Sequence, residues 1–142
     1  MTFLENKQSL RLAAARRIAE AAEAFAASKN WNISIAVADE GGNIILVERM
    51  DGAILGSVAI AEQKARTAVQ FQCPTKDLEA GVKSGMLSLL KLDILPFEGG
   101  IPILVNGKIV GAVGASGHSP SGDGEVAQAG ADWCKEGLAH TS

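Results

Sequence analysis

Gly99–Gly117 reads GGIPILVNGKIVGAVGASG, two apolar runs joined by Asn106-Gly107. An Asn-Gly pair between apolar runs is the strongest short-range signal for a β-hairpin, because a type I′ turn needs positive φ at both central residues. The second run becomes glycine-rich, carries the hydroxyl of Ser116 and leads to His118. The stretch therefore predicts an antiparallel hairpin that opens into a loop able to hold a small molecule against backbone N–H groups.

Helices are predicted on both sides of this hairpin. Apolar residues at helical spacing indicate helices over 2–28, 55–72 and 75–82 and from 123 onward, with a short helical piece over 86–92. Thr2-Phe3-Leu4-Glu5 fits a capping box, in which a hydroxyl and a carboxylate satisfy the first free N–H groups of a helix. Thr75, after Pro74, is expected to cap the short third helix, and Asp123 to cap the last one.

A second hairpin is predicted before the long middle helix. Residues alternate with a period of two over 32–37, turn at 40–43 and return over 44–47. Because tight turns join both strand pairs, the sheet is expected to be antiparallel, with helices covering its faces. The prediction is a single α+β domain over residues 1–142, with the order α-β-β-α-α-β-β-α.

Composition excludes several classes of partner. The net charge is −3, with no cluster of Lys or Arg, and aromatic residues make up only 4% of the chain, which argues against nucleic acid. No apolar run approaches the roughly 20 residues of a membrane span, so no membrane partner is expected. Two cysteines are too few for a disulfide scaffold. A reduced, cytoplasmic protein is the expectation.

Five segments together resemble the GlcG/HbpS family, also called the haem-degrading domain family: 37–43, 49–53, 64–68, 99–103 and 111–117. The resemblance covers nearly the whole chain. It implies a profilin-like antiparallel sheet flanked by helices, assembly into a homo-oligomer, and links to haem binding, to corrinoid adenosyltransferases and to catabolism of small organic acids. It assigns no haem ligand to a position of this chain, and His118 departs from the small residue expected there.

Three charged residues are candidates for holding a ligand. Arg49 and Asp51 follow a predicted strand, where loops often carry function, and an arginine can bind a carboxylate through two hydrogen bonds. The alternative is that Asp51 caps the next turn and that Arg49 pairs with it or with Glu48. Lys64 lies on or beside the apolar stripe of its helix, so it either holds an anion with a lowered pKa or extends its ammonium into water.

The glycine-rich segment supplies the other candidates. Successive N–H groups around Gly114 and Gly117, with the Ser116 hydroxyl, can form an anion-binding nest. His118 can act as acid, base or metal ligand, or simply lie exposed in a loop. Glu98 would have a raised pKa if it were buried.

Two further kinds of site are judged unfavourable. The Gly-x-Ser-x-Gly elbow is absent, so a catalytic triad of Ser116, His118 and Asp123 is rejected. Glu20 and Glu23 lie three residues apart on the first helix but are expected to form a solvated face. With only two histidines, and with Cys73 expected to be a buried hydrophobe, no metal site is predicted.

Two functions remain open. The first is a small-molecule-binding protein for haem or a related tetrapyrrole, implied by the resemblance. The second is a small cofactor-independent enzyme (an isomerase, lyase or hydrolase) that acts on an organic acid. In it Arg49 or Lys64 would hold the carboxylate and His118 or Glu98 would move a proton.

Overall fold

A four-stranded antiparallel sheet with the strand order β2-β1-β4-β3 forms the centre of the computed structural model, which describes residues 2–137. The elements are α1 (Leu12–Ser28), β1 (Ser34–Asp39), β2 (Ile44–Arg49), α2 (Ser57–Phe71), α3 (Thr75–Lys83), a 3₁₀ turn (Leu87–Lys91), β3 (Gly100–Val105), β4 (Lys108–Ser116) and α4 (Pro120–Gly137). The predicted α+β class and element order are confirmed. The short helical piece predicted over 86–92 is present as the 3₁₀ turn at Leu87–Lys91.

The Asn106-Gly107 turn joins β3 to β4 as predicted. Asn106 has φ 52° and Gly107 has φ 76°, the two positive values that a type I′ turn requires. The glycine-rich run that follows was predicted to be a loop, which is wrong up to Ser116. It lies within β4, an interior strand that pairs with both β1 and β3.

Glycine in β4 is explained by close packing of a helix. The missing Cβ of Gly114 would overlap the carbonyl oxygen of Ala61 and lie 2.7 Å from the backbone nitrogen of Ala65, both on α2. The glycine therefore lets α2 lie directly on the strand, where a side chain would hold the helix away.

Helices cover both faces of the sheet. On one face α2 packs through small residues: Ala36, Ala38, Ala61, Ala65, Ala68, Val69 and Ala112. On the other face α1 and α4 enclose the larger core, which includes Ile18, Ile35, Val37, Val113 and Val126. In the described part of the chain, no helix is long and apolar enough to cross a membrane.

The first helix begins at Leu12, so the predicted capping box at Thr2–Glu5 is wrong. Residues 2–9 are exposed, and the buried Leu10 donates its N–H to Val110 O at 3.2 Å while its side chain covers Gly111. A helix is stabilised mainly by packing its apolar face. Because 6–9 are polar, a helix there would have no such face to bury.

Two predicted helix caps have other roles. Pro74, not Thr75, is the residue before α3; the buried Thr75 hydroxyl accepts the Gly100 N–H at 2.8 Å and so ties α3 to β3. Helix α4 begins at Pro120, not at Asp123, and the Ser119 hydroxyl accepts the Gly122 N–H at 3.0 Å as its cap.

Candidate functional site

Most of the predicted site residues lie at one end of the sheet. Ser34 begins β1 and pairs with Arg49 at the end of β2 and with Ser116 at the end of β4. Glu98 comes just before β3 at the same end. Since β2 and β3 are opposite edge strands, three strand spacings, about 14 Å, separate them. Arg49 and Asp51 lie exposed at the β2 side of this end.

Lys64 is fully buried, with 0% of its surface exposed, so its ammonium does not extend into water. Its Nζ donates to Ala115 O at 3.0 Å and to Asp123 Oδ2 at 3.2 Å, and the Phe97 ring centroid lies 5.3 Å away. Burial lowers the pKa of Lys64, and the Asp123 carboxylate opposes that shift. The charge of Lys64 is therefore already paired within the protein.

Gly99 makes room for this lysine. Its φ is 134°, and a Cβ there would lie 2.6 Å from Lys64 Nζ and 2.6 Å from Ala115 O. Its carbonyl accepts the Ala115 N–H at 2.9 Å, which extends the pairing of β3 with β4. Only glycine fits both the conformation and the space, so Gly99 lets the Lys64 side chain reach α4.

His118 is exposed but is held at two points. Its backbone N–H donates to Asp123 Oδ1 at 2.9 Å. Its imidazole stacks on the Trp31 indole, with 4.2 Å between ring centroids and 19° between planes. Because Asp123 contacts the backbone of His118 rather than its ring, no relay of the triad type joins Ser116, His118 and Asp123.

The role of Asp123 was missed by the sequence analysis, which made it a helix cap. A lysine on an apolar stripe signals that a buried carboxylate is needed, since charges are rarely buried unpaired. Nothing in the sequence selects Asp123 for that task, because it lies 59 residues from Lys64. No pattern in the sequence indicated that Trp31 would contact His118.

A groove of about 200 Å³ lies beside the start of α4. It is lined by Lys76, Glu98, Gly99, Gly100, Ile101, Ser121, Gly124, Glu125 and Gln128. The half-buried Glu98 forms one wall and contacts Gly124, where a Cβ would lie 2.7 Å from Glu98 Oε2. Among the predicted residues only Glu98 lines this groove; Gly114 and Ser116 are buried in β4, and Gly117 follows it.

A pair of carboxyl groups lies between α1 and β2. The pKa of Glu23 on α1 is raised to about 7, chiefly by burial and then by a hydrogen bond with Glu48 of β2 and the charges of Glu48 and Glu20. Glu20 is exposed and pairs with Arg17 at 3.4 Å. Within residues 2–137 no group of three or more His, Cys, Asp or Glu side chains is arranged to hold a metal ion.

Comparison with known proteins points to one family. A family model described as haem degrading protein HbpS-like matches residues 10–132. Protein GlcG of Escherichia coli (strain K12) is 40% identical over 103 residues, which cover 72% of this chain and 77% of GlcG. The crystal structure of Klebsiella pneumoniae protein ORFY is similar with a TM-score of 0.86 and 34% identity, covering 93% of this chain and 94% of that one.

A haem complex is among the similar structures. The crystal structure of the PduOC:heme complex has a TM-score of 0.79 and 27% identity, and the match covers 87% of this chain and 94% of PduOC.

Proposed function

Since the chain belongs to the HbpS-like family of haem-degrading proteins, we propose that it binds haem or a related metal tetrapyrrole, and that the His118 imidazole would hold the metal. The observation that carries the proposal is the exposed imidazole of a residue held at both its backbone and its ring. The similarity to a protein crystallised with haem supports the same ligand class.

The donor groups of the described residues favour His118. It is the one histidine in 2–137, since His140 lies outside the described residues. Cys134 is fully buried, and burial raises the pKa of the Cys73 thiol, which disfavours the thiolate that binds iron. Neutral imidazole is a common axial ligand of haem.

An aromatic neighbour fixes the plane of the His118 imidazole. The Trp31 indole lies parallel to the imidazole and orients it, as an outer partner commonly orients a metal ligand. A groove of about 200 Å³ is too small to enclose a macrocycle, so the ligand would lie against the surface at this end of the sheet. When bound, the iron would supply the redox chemistry, and the chain would supply the ligand and its orientation.

The test is a haemin titration of the purified protein, followed by the Soret band. We expect a saturable shift at micromolar haemin, its loss in His118→Ala, and a displaced band in His118→Met, which exchanges one ligand for another. Ser84→Ala, on the exposed end of α3, is the matched control and should titrate as the unmodified protein does.

Two results would count against the proposal. Absence of any saturable shift would end the haem assignment. An unchanged shift in His118→Ala would keep haem binding but remove His118 from the metal.

A second candidate function is cofactor-independent catalysis on a small organic acid, favoured by the groove beside Glu98. Lys76 and Glu98, which both line the groove, would provide a cation for a carboxylate and a group to move a proton. A screen of short-chain acids by thermal shift, with Glu98→Gln alongside, tests it. If none of the acids stabilises the protein, the groove does not have this function.

A further inference from the structure

The Lys64–Asp123 ion pair is also hydrogen-bonded to the backbone of His118, a contact that the pairing of the two charges does not require. One carboxylate oxygen of Asp123 accepts from Lys64 Nζ at 3.2 Å, and the other accepts from the His118 N–H at 2.9 Å. We propose that Asp123 is a positioning residue that holds His118 for the metal of the bound tetrapyrrole, and that Lys64 is the counter-charge that keeps its carboxylate buried. This inference rests on the function proposed above.

Stability gives little reason to keep such a pair in the interior. Moving two charges out of water costs several kcal/mol per ion, and replacing a buried pair by apolar residues of similar size is often neutral or stabilising. Both side chains here are almost fully buried, at 0% and 4% exposed. A geometric task for the pair explains its presence better than a contribution to folding does.

The pair holds together parts of the chain that are otherwise separate. Lys64 belongs to α2, on the face of the sheet opposite α4, and its side chain passes Gly99 to reach Asp123. Its second bond, to Ala115 O, fixes the end of β4 two residues before the loop that begins at Gly117. The His118 loop is thereby anchored to α2, β4 and α4 at once.

Two constraints then define the position of the ligand side chain. Asp123 fixes the backbone of His118, and Trp31 fixes the plane of its ring. A ligand held before binding loses less conformational freedom when the metal arrives, and this raises affinity. Loss of an outer partner of a metal ligand typically weakens metal affinity about 10-fold to 100-fold.

Two uncharged double variants separate the tether from the charge. Lys64→Met with Asp123→Leu removes both charges and the acceptor of the His118 N–H. Lys64→Met with Asp123→Asn removes both charges but keeps an Oδ1 acceptor in the same place. Urea unfolding of both variants establishes that they fold, and the two differ from one another at a single side chain of similar size.

The expected result is a difference between these two variants in two measurements. Without haem, amide hydrogen exchange at His118 should be about tenfold faster or more in the Leu variant than in the Asn variant. With haemin, the Leu variant should bind about tenfold more weakly and show an altered Soret band, and the Asn variant should rescue both.

The outcomes distinguish this role from the proposed function. If His118→Ala abolishes haemin binding but the Leu and Asn variants exchange and bind alike, Asp123 has no positioning role and the proposed function stands. If the unmodified protein shows no saturable haemin binding, the proposed function fails and the positioning role fails with it.

Discussion

The Asp123 carboxylate lies 3.2 Å from the Lys64 ammonium, and this contact joins the first turn of α4 to a helix on the opposite face of the sheet. Lys64 and Asp123 lie 59 residues apart in the sequence. Around them are Gly99, which leaves space for the lysine, and His118, whose N–H the same carboxylate accepts. The arrangement of Gly99 and His118 at this end of the sheet therefore depends on a buried charge pair.

Removing one partner of the pair should destabilise the protein strongly. In Lys64→Met the carboxylate of Asp123 stays buried without its counter-charge, and such a loss costs about 3–5 kcal/mol of unfolding free energy. Urea unfolding at pH 7 measures it. Adding Asp123→Asn to Lys64→Met should recover part of the loss, because the uncompensated charge is gone. A single variant within about 1 kcal/mol of the unmodified protein would contradict this account.

A carboxyl pair between α1 and β2 should make stability depend on pH. The pKa of Glu23 is raised from 4.5 to about 7 in the folded protein, so the folded state holds a proton that the unfolded chain releases. Stability from this group is fully present below about pH 4.5 and is lost as pH rises through about 7. The stability of Glu23→Gln relative to the unmodified protein should therefore be greater at pH 8 than at pH 5.

Melting temperatures at pH 5 and pH 8 measure this gain. Glu5→Gln is the control, since the Glu5 side chain is 72% exposed and its charge is not among those that raise the pKa of Glu23. A difference between Glu23→Gln and the unmodified protein that is constant with pH would show that Glu23 does not titrate in this range.

Close packing of α2 on β4 predicts contrasting effects for two glycine substitutions. Gly114→Ala should cost about 1–3 kcal/mol or more, because the new methyl group overlaps the backbone of α2 at Ala61. Gly56→Ala has no atom within 4 Å of its new Cβ and a compatible φ of −65°, so it should be neutral or slightly stabilising. Chemical denaturation compares the two, and equal effects would mean that α2 does not approach the strand this closely.

The parts of the fold that sequence predicts are those decided by neighbouring residues. The turn at Asn106-Gly107 follows from the conformations that these two residues allow, and the alternation around it gives the strands. The errors arise where a distant partner decides. Thr75 looks like a cap in sequence, but its hydroxyl accepts the Gly100 N–H. The segment around Gly114, predicted to be a loop, is a strand because it pairs with both β1 and β3.

The candidate site shows the same division. His118 was identifiable as a reactive side chain, but its stacking on Trp31 and its tether to Asp123 depend on how the helices meet the sheet. Lys64 was identifiable as a charge on an apolar stripe, whereas its partner was not. Residue types indicate which groups can do chemistry, and tertiary contacts decide which of them are free to do it.

Binding of an acidic ligand in the groove should depend on Lys76 rather than on Arg49. The sequence analysis assigns a substrate carboxylate to Arg49 or Lys64. Lys64 is buried and paired with Asp123, and Arg49 ends the edge strand β2, about 14 Å across the sheet from the edge strand that Glu98 precedes. Lys76 lines the groove with Glu98. For any short-chain acid that raises the melting temperature, we expect Lys76→Ala to reduce the shift and Arg49→Ala to leave it unchanged.

The two variants also locate the ligand if the expectation fails. A shift that disappears in Arg49→Ala and persists in Lys76→Ala would place the acid at the end of β2, beside Ser34 and away from Glu98. Glu98 would then lie too far from the substrate to move its proton, because general acid–base catalysis requires a heavy-atom separation of about 3 Å or one bridging water.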